Sequence, residues 1–381
     1  MSNNFDAIKP KLIAAGLQSI KENCVMPRLL NRDFANEAAK KGDTINVPIP
    51  AIKTAKAVTP SVTMASADAT TITSVPIVLS NWYHTDFELT DKEQMEVENT
   101  SLFPMQAQEA INGLIRQVDQ DILALYKKVY GVAGVAGTTP FASTVTEATA
   151  ARKILNIQLA PPSAIDRHLV IDPEAEASAL NLRAFTDASF TGDASAIQDG
   201  NLIRRFGFNW FLDQNIPTHT AGVPGGTITV NGAHATTGVT TVSVANSAAG
   251  TLLEGDIITF AGDTQTYTVG ADVTWSGAGN QNVTISPGLQ IALAGSNAIT
   301  LTATHTVNLA FHRNAFAMAS RPLQQIDQSE LGVQSMSQPE PETGLVLRLR
   351  IQAGEFLVKY TYDILYGVAC IRPEFAVRLM G

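Results

Sequence analysis

His84, Asp86 and Glu88 fall at every second position, so an extended segment there would present one imidazole and two carboxylates on a single face. That set could ligate a metal at short range, although a solvated strand face is the plainer reading. Gly131, Gly134 and Gly137 invite comparison with a phosphate cradle. They follow a helical pattern instead of a strand and lack the spacing of a dinucleotide fingerprint, so they read as a loop. Of the six histidines, only His305 and His312 lie within ten residues of each other, and neither has a Ser or Cys in a nucleophile turn, which argues against a catalytic triad. Asp256 and Asp263 flank an apolar run and could hold a cation, but the dense oxygen pattern of a calcium loop is missing. Arg348 and Arg350 alternate with Leu345, Leu347 and Leu349, which puts two guanidinium forks on one strand face. Such forks pair well with carboxylates, so the two arginines are a candidate subunit-interface ion pair, against plain solvent exposure. No catalytic, cofactor-binding or metal-binding residue is expected.

Cys24 and Cys370 are the only cysteines, too few for a zinc site or a disulfide framework, and read as buried free thiols. The 381 residues suffice for two or three folding units. A composition 45% apolar and 16% charged, with 27 Gly and 18 Pro, is that of a folded protein with many turns. The formal charge of −9 opposes general attraction to phosphate backbones, so nucleic acid near this chain would be enclosed and met by weak, non-specific contact only. The apolar run Val129 to Ala136 is far too short to span a bilayer, and Met1 to Asp6 lacks the basic and apolar segments of a secretory signal. The chain is expected to stay in the cytoplasm, away from membranes.

Several elements must position these residues. Ile8, Leu12, Ile13, Leu17 and Ile20 repeat at helical spacing over residues 7–30 and Pro27 ends the pattern, predicting an amphipathic N-terminal helix whose apolar face needs a partner. Asp43 to Pro50 alternates in polarity but contains prolines that cannot donate ladder hydrogen bonds, so it is an edge or an extended loop. Residues 53–80 continue as a two-stranded excursion, marginal alone in water and expected to lie on another subunit. Asn99, Thr100 and Ser101 offer N-caps to a helix running from Pro104 through Ile111, Val118 and Leu125 to Val129, about 26 residues or roughly 39 Å long. Gly113 inside it predicts a close packing contact.

Thr144 to Glu147 matches a capping box for a second helix carrying Ile154, Leu155 and Leu159. A strand His168–Ile171 leads into Asp172-Pro173, an N-cap and first-turn proline that open a third helix to about Arg183. Arg204 to Asp213, with Phe206, Phe208, Trp210 and Leu212 at period two, predicts another strand. Residues 219–307 contain no Lys or Arg. Within them Thr227–Val230, Thr240–Val244, Asp256–Phe260, Thr266–Val269, Asn282–Ser286 and Ala298–Thr302 read as six short strands bounded by turn formers, a small antiparallel barrel or sandwich inserted in an α/β host. Leu345–Ile351, Phe356–Tyr362 and Leu365–Ile371 then predict a C-terminal meander.

This α+β order, with the phrases Lys41-Gly-Asp-Thr-Ile-Asn-Val-Pro48, Phe87-Glu-Leu-Thr-Asp-Lys-Glu93, Asn308-Leu-Ala-Phe-His-Arg-Asn-Ala-Phe-Ala-Met-Ala-Ser-Arg-Pro-Leu323 and Tyr362-Asp-Ile-Leu-Tyr-Gly-Val-Ala-Cys-Ile-Arg-Pro-Glu374, resembles the HK97 fold of tailed-bacteriophage major capsid proteins. It is most similar to the short-tailed-phage coat proteins that carry a β insertion domain, here Leu253-Glu-Gly-Asp-Ile-Ile-Thr-Phe-Ala-Gly262 with Val283-Thr-Ile-Ser-Pro287. The resemblance implies an N-terminal arm over 1–40 and an extended loop over 41–90. It implies a peripheral domain with a spine helix over 91–139 and 339–381, an axial domain over 140–218 and 308–338, and a β insertion domain over 219–307. It also implies hexamers and pentamers closing into an icosahedral head around double-stranded DNA, with a scaffolding protein and a portal as partners, and a place in the virion. Some members cross-link neighbouring subunits through a Lys and an Asn with a catalytic Glu. No positions here match that set, and Lys53 and Lys56 are not nominated merely for lying in the loop.

The expected function is therefore that of a self-assembling shell subunit and not of an enzyme. An enzyme with a β accessory domain would need a pocket with perturbed acids or a cofactor motif. A cytoplasmic binding protein that uses the β insert to hold a ligand is the alternative, and would require the isolated insert to bind one.

Overall fold

In the computed structural model, residues 9–33, 44–49, 72–90, 102–187, 204–323 and 333–381 are described, with the single positions 55, 57, 60, 92, 200 and 202. Helix α1 (Lys9–Asn23) and the one-turn α2 (Met26–Leu29) replace the single helix expected over 7–30. Pro27 does not end the first helix. It occupies the first turn of the second, where its missing N–H costs nothing. Strands β1 (Thr44–Ile49) and β2 (Thr73–Val78) pair antiparallel from Thr44↔Val78 to Ile49↔Thr73. Ile45, Val47 and Ile77 cluster with Ala317, Ala319, Leu365 and Ala369, so the base of the two-stranded excursion rests on its own chain. Most of residues 50–71, including Lys53 and Lys56, lies outside the described residues, as do the expected caps 99–101.

Strand β3 (Asn81–Thr90) leads toward the long helix α3 (Leu102–Leu123), which tightens into a 3-10 turn at Ala124–Lys128. Helix α1 packs on α3, with Ile13, Ile20, Ile111 and Leu114 in one core. The close approach is at Gly16, where a β-carbon would meet Ile111 Cδ1 at 2.6 Å and Leu347 Cδ2 at 2.9 Å. Gly113, expected to mark that contact, has only an ordinary neighbour, Thr85 Cγ2 at 3.8 Å.

The expected glycine loop is in fact strand β4 (Gly131–Gly134). Helix α4 (Thr146–Ile157) begins after Val145 with no side-chain cap, so the Thr144–Glu147 capping box does not form. β5 (Arg167–Ile171) runs into α5 (Pro173–Asn181), and Asp172 caps α5 by accepting from Glu174 N at 3.3 Å, as its sequence predicts. A break at Leu182 separates α5 from the single turn α6 (Arg183–Thr186). Only β6 (Asn209–Leu212) of the strand expected over 204–213 is extended, because Phe206 and Gly207 take positive φ in a turn that hydrogen-bonds Arg205 to Phe208. The short β7 (Thr218–His219) follows.

All six expected strands of the cation-free segment are present: β8 (Ile228–Val230), β9 (Thr241–Asn246), β11 (Ile257–Phe260), β12 (Tyr267–Val269), β14 (Gly279–Ser286) and β15 (Ile299–Leu301). They form one sheet in the order β15-β11-β12-β14-β9-β8. A Thr229↔Ala298 bridge, with Val230 N donating to Asn297 O at 3.0 Å, joins its two end strands and closes it into a barrel. A separate ladder of β10 (Gly250–Leu252) and β13 (Val273–Trp275) adds Leu252 and Trp275 to the barrel's own core of Val230, Val244, Phe260, Tyr267 and Ile285.

The chain then returns through β16 (His305–His312) and β17 (Phe316–Ser320), and continues as β18 (Val333–Pro339), β19 (Val346–Ala353), β20 (Leu357–Cys370) and β21 (Ala376–Met380). The two strands expected over 356–362 and 365–371 are one continuous strand. One host sheet has the order β4-β21-β16-β5-β6, with β4 parallel to β21, β5 parallel to β6, and β7 paired with β16. The other has the order β17-β20-β19-β18, with β3 paired to β20. One apolar cluster unites α1, α3 and both host sheets, and the barrel core stands apart from it.

Candidate functional site

Arg348 and Arg350 do share one face of β19, but their surroundings differ. Arg348 sits opposite Asp363 of β20, is 9% exposed, and gives Asp363 a two-pronged hydrogen bond, its Nε at 2.8 Å from Oδ1 and its Nη2 on Oδ2. Trp82 Nε1 donates to the same Asp363 Oδ2 at 3.1 Å. Arg348 is therefore held within its own subunit. Arg350, half-buried opposite Thr361 and Ser335, keeps Nε without a hydrogen-bond partner among the described residues.

The remaining sequence candidates are structural. His84, Asp86 and Glu88 lie exposed along β3, and Asp86 pairs with Lys359, whose hydrogen bond holds the carboxyl below its usual range. His305 and His312 close the two ends of β16. Burial pushes both below the ordinary imidazole range, and neither faces a nucleophile. Asp263 is spent on Gln265 N at 2.9 Å and the Tyr267 hydroxyl at 2.6 Å. Among the described residues no three His, Cys, Asp or Glu side chains could hold a metal ion, and no helix is long and apolar enough to cross a membrane. Both cysteines are free and buried, and burial raises each thiol, Cys370 to about 12.

What the site residues do form is a buried junction between the barrel and the end of α3. Asp256, fully buried, accepts from His219 Nε2 at 2.9 Å, Leu253 N at 2.7 Å and Gly222 N at 3.2 Å, which leaves it no room for a cation. His219 Nδ1 lies 2.9 Å from the Tyr126 hydroxyl. From β21, Arg378 donates to Val129 O at 2.8 Å, Gly255 O at 2.7 Å and Thr268 Oγ1 at 3.3 Å, with its guanidinium 4.9 Å above the Tyr126 ring. Gly255, at φ 95°, lets the turn press on Lys127, whose Cγ would be 2.9 Å from a β-carbon there. Thr268 and Thr266 add hydrogen bonds to Lys127 O and Tyr130 O. The Tyr–His–Asp chain has the connectivity of a catalytic relay, but Tyr126, His219 and Asp256 are all buried, so it positions the barrel and meets no substrate.

Sequence reasoning missed most of this junction. Tyr126, His219 and Arg378 have no common spacing. The available signal was Arg378 itself, a lone cation in the apolar run Ala376–Met380, which burial permits only if it is fully hydrogen-bonded. A second buried knot ties α1 and α2 to α3: Asp119 accepts from Met26 N at 3.2 Å and lies 3.8 Å from Cys24 Sγ, while its other oxygen has no partner among the described residues. Burial, and then the charge of Asp213, push Asp119 up to about 8.

The family model for phage capsid proteins matches residues 74–251, from β2 into the barrel. A solved structure of Mycobacterium phage Che8 shares the fold with a TM-score of 0.51 at 15% identity, covering 94% of this chain and 91% of that one. The capsid structure of the cyanophage P-SCSP1u does so with a TM-score of 0.50 at 13% identity, covering 94% and 88%. A search of the curated proteins finds no match. The resemblance to tailed-phage capsid proteins read from the sequence holds, and the α+β chain has a capsid fold.

Proposed function

We propose that this chain is the major capsid protein of a tailed phage, assembling into the hexamers and pentamers of an icosahedral head that encloses double-stranded DNA. The observation that carries the proposal is the phage capsid family match over residues 74–251. In this reading the arrangement is HK97-like: an N-terminal arm (1–40), an extended loop (41–90), a peripheral domain (91–139 and 339–381) built on α3, an axial domain (140–218 and 308–338) and a β insertion domain (219–307). Assembly takes place in the host cytoplasm with a scaffolding protein and a portal, and DNA meets only weak contact from a chain of net charge −9. The subunit acts by self-association and not by catalysis. A barrel that holds a ligand has little support, because Val244, Phe260, Tyr267 and Trp275 fill its interior.

Sucrose-gradient sedimentation of the expressed chain tests the proposal. Particles sedimenting far ahead of a 40.6 kDa subunit support it, and a lone slow peak with or without the neighbouring phage genes contradicts it. The interface role expected of Arg348 and Arg350 narrows to Arg350, the one of the two with no carboxylate partner among the described residues. Replacing Arg350 with Ala should lower shell yield without lowering the subunit's melting temperature. A normal yield would remove Arg350 from the interface.

A further inference from the structure

The host sheet that carries β5 and β6 is electrically lopsided along its strands. At the end where the parallel β5 and β6 begin and α4 finishes, Arg152 lies against Gly207, and Asn209 Nδ2 donates to Ile165 O at 2.8 Å, which brings the 158–166 loop beside the 204–208 turn. Arg152, Lys153 and Arg204 are exposed there and Arg205 half-exposed, and none of the four forms an ion pair with a described residue. Three aliphatic side chains stand among them: Ile157 is 68%, Leu159 76% and Ile165 69% exposed. Leu159 is held at φ 59°, a conformation that costs a leucine about 1 kcal/mol and here turns its side chain to solvent.

About 16 Å away, at the far ends of the same strands, the charge is reversed. A groove there is lined by Thr139, Asp172, Glu174, Thr218, Thr304 and Thr306, contains no cation, and adjoins the barrel, itself without a Lys or Arg. In a chain of net charge −9, four cations with no ion pair among the described residues, set around an exposed aliphatic tip, match the opposite end of the same sheet in both sign and place.

We propose that the Arg152–Lys153–Leu159 end of one subunit seats head to tail in the Asp172–Glu174 groove of a second copy. The contact is heterologous, which makes a ring when the rotation between successive copies closes, and burial of the three aliphatics supplies the apolar part. It rests on the shell reading above and names one surface through which the shell would form.

Charge reversal tests it. Arg152→Glu with Lys153→Glu gives up the Arg152 Nη1 bond to Phe206 O at 3.4 Å but otherwise changes exposed groups, so the variant should fold with a small loss in melting temperature while its shell yield falls roughly tenfold or more, because like charges now meet. Glu174→Lys should lower the yield likewise from the groove side, with some loss in melting temperature, because it also removes the acceptor for Thr139 Oγ1 and an acidic group from the first turn of α5. The triple variant R152E/K153E/E174K should regain shells, which a merely misfolded subunit could not. Wild-type yield from R152E/K153E, or a folded triple variant that recovers nothing, would overturn the contact while leaving the shell reading intact. A wild type that forms no shells would overturn the shell reading, and the contact with it.

Discussion

Buried charge is where single residues matter most in this chain. Asp119 holds its proton in the folded state up to about pH 8, against an ordinary value of 3.8. The stabilisation from that neutral carboxyl is fully present below about pH 4 and is lost as pH rises through 8. Asp119→Asn keeps the acceptor for Met26 N and cannot ionise, so its melting temperature should stay nearly level between pH 5 and pH 8.5 while the wild type declines. Calorimetry across that range checks this, and a variant that declines in parallel would contradict it. Arg378 offers a second test, since Arg378→Met strands the acceptors Val129 O, Gly255 O and Thr268 Oγ1 and should cost roughly 3 kcal/mol in denaturant unfolding. A loss under 1 kcal/mol would show that the junction does not depend on it. The alternation of Arg348 and Arg350 was legible, because period two fixes which side chains share a face. Their different fates were not, since Asp363 meets Arg348 only through the pairing of β19 with β20.

Among elements, legibility followed local chemistry. The barrel strands could be read because each is a β-branched run bounded by Gly, Asn or Asp. Strand β4 could not: Gly-Val-Ala-Gly has little strand propensity, and parallel pairing with β21 sets its conformation. The split predicted inside β20 fell at Asp363, a polar residue that reads as a break until its buried arginine partner is known. The N-terminal helix shows what such a pattern leaves open, because an amphipathic face declares that it will be covered and not by what. Its cover is α3 and β19 of the same chain, through Gly16. Gly16→Val would drive a branched side chain into Ile111 and Leu347 and should destabilise the subunit by roughly 1–3 kcal/mol. An unchanged unfolding midpoint would mean that α1 is not docked as described.

At the scale of the molecule, a capsid fold spanning nearly the whole chain carries a barrel locked on by a buried polar junction. Such a subunit has few features that make sense in isolation. In the proposed assembly its exposed cationic tip and its acidic groove are groups that a neighbouring copy satisfies. The most direct test is negative-stain electron microscopy of the protein expressed with and without its neighbouring phage genes. The account predicts closed shells, tubes or spirals tens of nanometres across in at least one condition. Monodisperse monomers or small oligomers in both would contradict it.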